Sequence, residues 1–199
     1  MSKYLPSNLL VAPFLAIAMV SSAGAVDLLN EDFSGGDGGF TVISENLPTD
    51  PWAYDAVAEA WWTDGSEKEA GFGVPNQHTR LTSPELTVDE NGGYFVIFDH
   101  RYDIEAGRRF GGLWDGAALY IRVNGGSFDY VEATEFTENG YNTGALIGAH
   151  VLRGRKAFGG ISTGHAAGTY ITSMAGPFGF SAGDIVQIQF LMANTQMER

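Results

Sequence analysis

The sequence predicts an all-β fold, an antiparallel sandwich in a single domain, and three observations carry the prediction. Residues 117–123 alternate, with Ala117, Leu119, Ile121 and Val123 on one side and Ala118, Tyr120 and Arg122 on the other, the period-2 pattern of a half-buried strand. Asn91-Gly92-Gly93 and Asn124-Gly125-Gly126 supply turns, because Gly and Asn tolerate positive φ better than other residues. The 199 residues include 27 Gly, 13 Phe, 8 Tyr and 4 Trp, without the long Leu/Ala/Glu/Lys periodicity of helices, and this composition belongs to sheets joined by turns.

Residues 1–25 read as a signal peptide and 26–199 as the sandwich domain. Lys3 gives a basic start, Leu9–Val20 is an apolar core short for a bilayer span, and Ala23-Gly24-Ala25 fits a cleavage site. The expected location is therefore secreted or cell-surface, with no membrane span after cleavage. The chain has no Cys, so an exported domain must draw its stability from core burial or a bound ion, and bacterial export suits it better than a eukaryotic secretory route. Its formal net charge is −13, from 11 Lys and Arg against 24 Asp and Glu. That balance speaks against a nucleic acid partner, which needs clustered cations to meet phosphates. The one basic cluster, Arg153-Gly154-Arg155-Lys156, reads as a solvated loop.

Taken in order, Glu31-Asp32-Phe33 opens the mature domain, the Gly35–Gly39 cluster turns the chain, and Phe40–Ile43 is a short strand. Pro51–Ala60 reads as extended or irregular with room for one helical turn, and Trp61-Trp62-Thr63 as extended. Arg80–Val88 reads as an edge strand because Pro84 cannot donate to a central ladder. Tyr94–Phe98 is apolar on both faces and reads as a strand sandwiched in the core; from Asp99 to Glu105 polar residues take over. Phe128–Val131 returns from the Asn124 turn. Gly140–Gly168 is loop-rich, with Ala145–Leu152 its one candidate strand, and in Ile185–Met192 the residues Val186, Ile188, Phe190 and Met192 face inward while Gln187 and Gln189 face out.

The stretches LTSPELTV (81–88), FDHRYDIE (98–105), WDGAALYIRVNGG (114–126), FGGISTGHAAGTYITS (158–173) and FSAGDIVQIQF (180–190) occur in that order. Together they resemble a jelly-roll domain of secreted bacterial proteins, the kind found beside exported peptidases of the immune-inhibitor-A type. That kind is distantly similar to MAM and galactose-binding-like domains. The resemblance spans most of Glu31 to Met192 and implies a jelly-roll β-sandwich with a non-catalytic role. Such domains are expected to continue with an acidic, Trp-containing stretch and a closing strand. Here Ala193-Asn194-Thr195-Gln196 follows and the sequence stops at Arg199, so the domain reads as C-terminally truncated.

Three patterns bear on chemistry. Gly160-Ile161-Ser162-Thr163-Gly164, with His165 beside it, matches the G-x-S-x-G of a hydrolase elbow. That elbow needs a strand before the Ser and a helix after it, whereas the flanks here read as Gly-rich loop, so no catalytic residue is assigned. Asp103 and Glu105, two apart on a strand face, suit a carboxylate pair for glycoside cleavage; the plainer reading pairs the local acids with Arg101 and Arg122. Glu31 and Asp32 are the expected metal ligands for a structural calcium, which takes six to eight oxygens and which jelly-roll carbohydrate modules hold near the first strand.

Binding is expected at Trp62, His100, Tyr102 and Trp114: flat aromatic faces match the C–H face of a sugar, although burial as sandwich anchors is the commoner fate of Trp. The leading functional expectation is a secreted, non-catalytic recognition or accessory module for glycans or another extracellular polymer. A glycoside hydrolase or lyase using Asp103 and Glu105 is one alternative, and a structural or adhesive segment of a larger surface protein is another.

Overall fold

The computed structural model describes residues 8–21, 24–45, 52–63, 77–104, 113–148 and 150–194, with the backbone alone before Asp27. The described chain is two antiparallel sheets packed face to face. Its strands are β1 (Asn8–Ser21), β2 (Gly24–Glu31), β3 (Thr41–Glu45), β4 (Trp52–Asp55), β5 (Ala60–Thr63), β6 (Gln77–Thr82), β7 (Leu86–Thr87), β8 (Gly92–Ile104), β9 (Gly116–Val123), β10 (Asp129–Tyr130), β11 (Phe136–Glu138), β12 (Gly160–Ile161), β13 (Ile171–Phe180) and β14 (Ile185–Asn194). The first sheet runs β11-β13-β8-β1-β5-β4, with β12 on β8 and β2 on β1. The second runs β10-β9-β14-β6-β3, with β7 on β14. The expected all-β jelly-roll sandwich is the observed fold.

The core forms where the inward rows of the two sheets meet. From β8 come Tyr94, Val96, Phe98, Tyr102 and Ile104, all buried, and from the second sheet Leu119, Ile121, Val186, Ile188 and Phe190. Phe98 meets Phe190 edge-on with ring centroids 5.0 Å apart, an arrangement the ring quadrupoles favour. The alternation read over 117–123 and 185–192 places the expected residues inside. In β8 the outcome differs: the face of Phe95 and Ile97 is only half-buried, so this strand has one core face rather than two.

Other local readings are also corrected. Pro84 does not mark an edge, since β6 has β14 on one side and β3 on the other. It interrupts the strand instead, and Leu86–Thr87 resumes pairing on β14. Ala145–Leu152 is not a strand: Leu146 and Leu152 are buried as a loop against Ala118, Leu191 and Ala193 on the outer face of the second sheet. Pro51 lies outside the described residues, and Trp52–Thr63 is a hairpin whose turn is held by Asp55 Oδ1, which accepts the amides of Val57 at 2.8 Å and Ala58 at 3.1 Å.

The Asn124 turn joins β9 to the segment leading into β10, and Asn124 and Gly125 take φ of 53° and 69°. Both positive values are those of a type I′ hairpin turn. The Asn124 side chain also ties this turn to the start of β14, donating Nδ2–H to Asp184 Oδ1 at 2.8 Å and accepting the Ile185 amide at Oδ1 at 2.9 Å. Asn124→Gly should lower the unfolding free energy by about 1 kcal/mol through the lost hydrogen bonds. Asn124→Ala should lower it by about 2–3 kcal/mol, because Ala also strains at positive φ. Urea titrations of the two variants check the order.

The leader expected over residues 1–25 coincides with β1 and the first residues of β2. In backbone pairing β1 lies between β8 and β5, with Leu10 opposite both Arg101 and Trp62. Removing residues 1–25 strips β8 of a partner along Tyr94–Asp103, and a long unpaired edge invites association with other chains. We expect chain 26–199 to melt at lower temperature than the full chain and to sediment as a mixture of oligomers. A stable monomer would show that β8 does not need that neighbour.

Candidate functional site

The outer face of the second sheet carries rings, amides and cations side by side. Strand register sets its rows, because opposite residues in an antiparallel pair share a face. One row is Ile43, Arg80, Leu191 and Ala118, and the next is Thr41, Thr82, Gln189, Tyr120 and Tyr130. A third holds Gln187 opposite Arg122. Five strands with four gaps of about 4.8 Å make the face roughly 19 Å wide.

One part of that face is covered by a loop, and beside it Thr82 and Gln189 are buried between half-buried Arg80, Tyr120 and Arg122. The 142–158 loop lays Leu146, Leu152 and Ala157 on Ala118, Leu191 and Ala193. Beyond it lies a trough of about 390 Å³ lined by Ile43, Arg80, Tyr120, Phe128, Val151, Gln189 and Leu191. Arg122 donates to Gln187 Oε1, and its guanidinium carbon sits 4.6 Å from the centroid of the Phe128 ring. Gln189 Nε2 donates to Thr82 Oγ1 at 2.9 Å and Gln187 Nε2 to the Ser83 carbonyl at 3.0 Å, so both amides are held in fixed orientations. Arg80 pairs with Glu45, whose carboxyl is held below its ordinary range by that bond first and despite some burial. Tyr120 meets Tyr130 edge-on at 5.7 Å. Partial burial raises the Tyr120 phenol, and Arg155 and Arg80 partly oppose the rise. The trough therefore brings two rings, the Gln189 amide and the Arg80 guanidinium to one concavity, with Arg122 and Gln187 at the neighbouring strand positions, a mixture suited to polar, ring-shaped ligands.

The residues named from sequence fall elsewhere. Trp62 is 37% exposed on β5 of the first sheet, while Trp52 and Trp61 are buried. Trp114 is half-buried, and its carbonyl accepts a hydrogen bond from the buried His150 ring. His100 and Tyr102 are 0% and 3% exposed, because β8 continues to Ile104 and keeps both inside the core. Arg101 stacks on Tyr170 and Arg122 on Phe128, and neither pairs with a carboxylate among the described residues. Asp103 is half-buried on β8, and Glu105 lies outside the described residues.

Ser162 is buried and its Oγ accepts the Tyr102 amide at 3.1 Å. The G-x-S-x-G stretch thus fastens to β8 through Ser162, whose hydroxyl is buried. Glu31 Oε1 accepts the Phe33 amide at 2.7 Å, and Asp32 Oδ1 accepts the amide and the hydroxyl of Ser34 at 2.9 and 2.8 Å. Among the described residues no group of three or more His, Asp or Glu gathers as a metal site, and these two acids act as turn acceptors. A second cleft of about 320 Å³ opens where Tyr130 and Val131 face Pro177, Phe178 and Phe180, with Asp129 and Glu135 on its lining. It carries no cation.

No described protein family, curated protein or solved structure matches the chain. Among the described residues no helix is long and apolar enough to cross a membrane.

Among the described residues His100 is the most strongly shifted base. Its Nε2 is 2.8 Å from Ser173 Oγ, and Ser173 donates its own proton to the Asn139 carbonyl at 2.6 Å. Nε2 must then be the protonated nitrogen, which leaves Nδ1 bare, buried and without a hydrogen-bond partner among the described residues. Burial depresses the imidazole from 6.5 to about 3. The unfolded chain therefore takes up a proton below pH 6.5 that the folded chain refuses. Stability should fall as pH drops from 6.5 towards 3, with a slope of up to about 1.4 kcal/mol per pH unit from this residue. His150, also lowered chiefly by burial, adds to the slope. Denaturant unfolding of His100→Phe between pH 6.5 and 5, above the range where carboxylates titrate, should show a flatter dependence than the parent chain.

Proposed function

We propose that the protein is a non-catalytic recognition module that binds glycan chains on the outer face of its second sheet. One observation carries the reading: Tyr120 and Phe128 lie in a trough with Arg80 and Gln189, and the neighbouring strand positions add Arg122 and Gln187. A pyranose offers a C–H face that stacks on an aromatic ring and equatorial hydroxyls that pair with amides and guanidinium groups. An ordinary solvated sheet face is expected to carry scattered polar residues, and this one also leaves Ile43 and Val151 54% and 39% exposed beside the rings. The resemblance to jelly-roll accessory domains agrees with a module that holds a polymer without cleaving it. The leader pattern at residues 1–25 supports a role outside the cell.

A panel of plant, algal and bacterial glycans, presented to the full chain, tests the reading. Binding is expected, with an affinity about fivefold weaker for Tyr120→Ala, the loss typical of one aromatic stacking contact, and unchanged for Trp62→Ala. Silence across the panel would leave a structural or adhesive role. Release of reducing sugar that disappears in Asp103→Asn would instead make the protein a glycosidase.

A further inference from the structure

The chain as a whole is strongly acidic, yet its described cations are not spread evenly. Those with described positions are Arg80, Arg101, Arg122, Arg153, Arg155 and Lys156. All but Arg101 belong to the second sheet or to the loop that lies on its outer face. The stretch 153–156 does not simply project into water: the Arg155 guanidinium carbon stands 4.4 Å from the Tyr130 centroid, and the Lys156 carbonyl accepts the Tyr130 hydroxyl at 2.7 Å. Arg80, Arg122 and Arg155 thereby surround Tyr120. The carboxylates in contact with these cations are Glu45 on Arg80 and Glu132 on Arg155, the latter at a loose 3.4 Å. Arg122, Arg153 and Lys156 have no carboxylate partner among the described residues. Three of the five cations on these elements therefore lack a described carboxylate partner, on a chain of net charge −13.

We infer that the glycan bound here is an acidic one, a polysaccharide bearing carboxylate or sulfate groups, with Arg122 meeting the anion while Tyr120 carries a sugar ring. The inference rests on the glycan-binding reading and narrows it. Arg122 suits that part because its head group is engaged by a neutral amide and a ring face, so an anion competes with no fixed carboxylate. The net negative charge of the chain disfavours a polyanion that meets it away from these cations, which orients the encounter. A nucleic acid fits less well: duplex DNA brings one charge per about 1.7 Å of axis, more than these few cations neutralise, and the net charge of −13 opposes it.

Titration of the full chain with polygalacturonate, a sulfated galactan, neutral xylan and duplex DNA tests this, at low salt and at about 0.5 M salt, where the screening length falls to a few ångströms. Expected are binding to one or both acidic glycans, weakening with salt, and a loss of about tenfold in Arg122→Gln, in line with one charge-assisted contact. The carboxylated and sulfated arms tell which anion is preferred. Arg155→Gln, on an exposed side chain, should cost a smaller factor and serves if Arg122→Gln does not fold. Equal binding of xylan and the acidic glycans, indifferent to salt and to both substitutions, would overturn the inference while leaving the glycan reading in place. Binding of no glycan would remove that reading itself, and tighter binding of DNA than of any glycan would overturn both.

Discussion

The rest of the structure depends on the pairing of one long strand. β8 runs 13 residues, and every second side chain from Tyr94 to Ile104 is buried. Because side chains alternate strictly along a strand, a slip of one residue would turn this whole row to the outside. Several partners fix its register. β13 pairs with it from Gly92 to His100, β12 from Asp103 to Ile104, and β1 along its other edge. At Gly176, where β13 bends, a Cβ would sit 2.6 Å from the Tyr94 carbonyl oxygen, so the two strands approach this closely only because that position is glycine. With β8 fixed, Phe98 and Tyr102 define where Phe158 and Phe190 sit. Phe158 in turn bridges through its backbone to Ala117 on β9, and so couples the first sheet to the second.

What was legible in the sequence was whatever depends on neighbours a few residues apart. The alternation of 117–123 and 185–192 and the Asn124 turn are local patterns, and each appears where it was read. β13 was not legible, because Gly176, Pro177 and Gly179 break the periodicity of a strand whose bend they make. His100 was read at the point where a strand leaves the core, yet polar residues at Asp99, Arg101 and Asp103 fill only the outer face while the inner row continues. The direction of Gln187 and Gln189 was correct. What no local pattern contains is that Gln189 lies opposite Tyr120 and Gln187 opposite Arg122, since β9 and β14 are some sixty residues apart in sequence and register is a property of the assembled sheet. Aromatic residues drew the binding assignment to Trp62 and Trp114 for the same reason: single residues can be ranked from sequence, whereas a surface needs strands side by side.

The buried polar groups show how such a Gly-rich chain holds its loops without disulfides. Loop carbonyls and amides are taken up by side chains anchored in the sheets or in the loops beside them. Tyr54 donates to the Phe33 carbonyl at 2.6 Å, Trp61 to the Asp37 carbonyl at 3.1 Å, and Thr143 Oγ1 accepts the Ala157 amide at 2.8 Å. His150 accepts the Leu152 amide at Nδ1 and donates from Nε2 to Trp114, which closes the loop carrying Val151 and the 153–156 cations. Each bond contributes on the order of 1 kcal/mol, and leaving its buried partner unsatisfied costs more.

In the proposed glycan-binding reading that loop joins fold to function. Its apolar residues, Leu146, Leu152 and Ala157, cover the part of the outer face where Ala118, Leu191 and Ala193 would otherwise meet water. Burial of that patch is reason enough for the loop to stay down, so the trough wall needs no ligand to form it. The side chains next to the wall are of a different kind. Tyr120, Phe128 and Arg122 lose little conformational freedom on contact, because rings have two torsions and this guanidinium is already stacked. A face shaped only for solubility gains nothing from rings and from cations without carboxylates, since scattered Lys, Glu and Thr would serve as well. Their placement beside a wall that is rigid for its own hydrophobic reasons is what a preorganised binding surface requires.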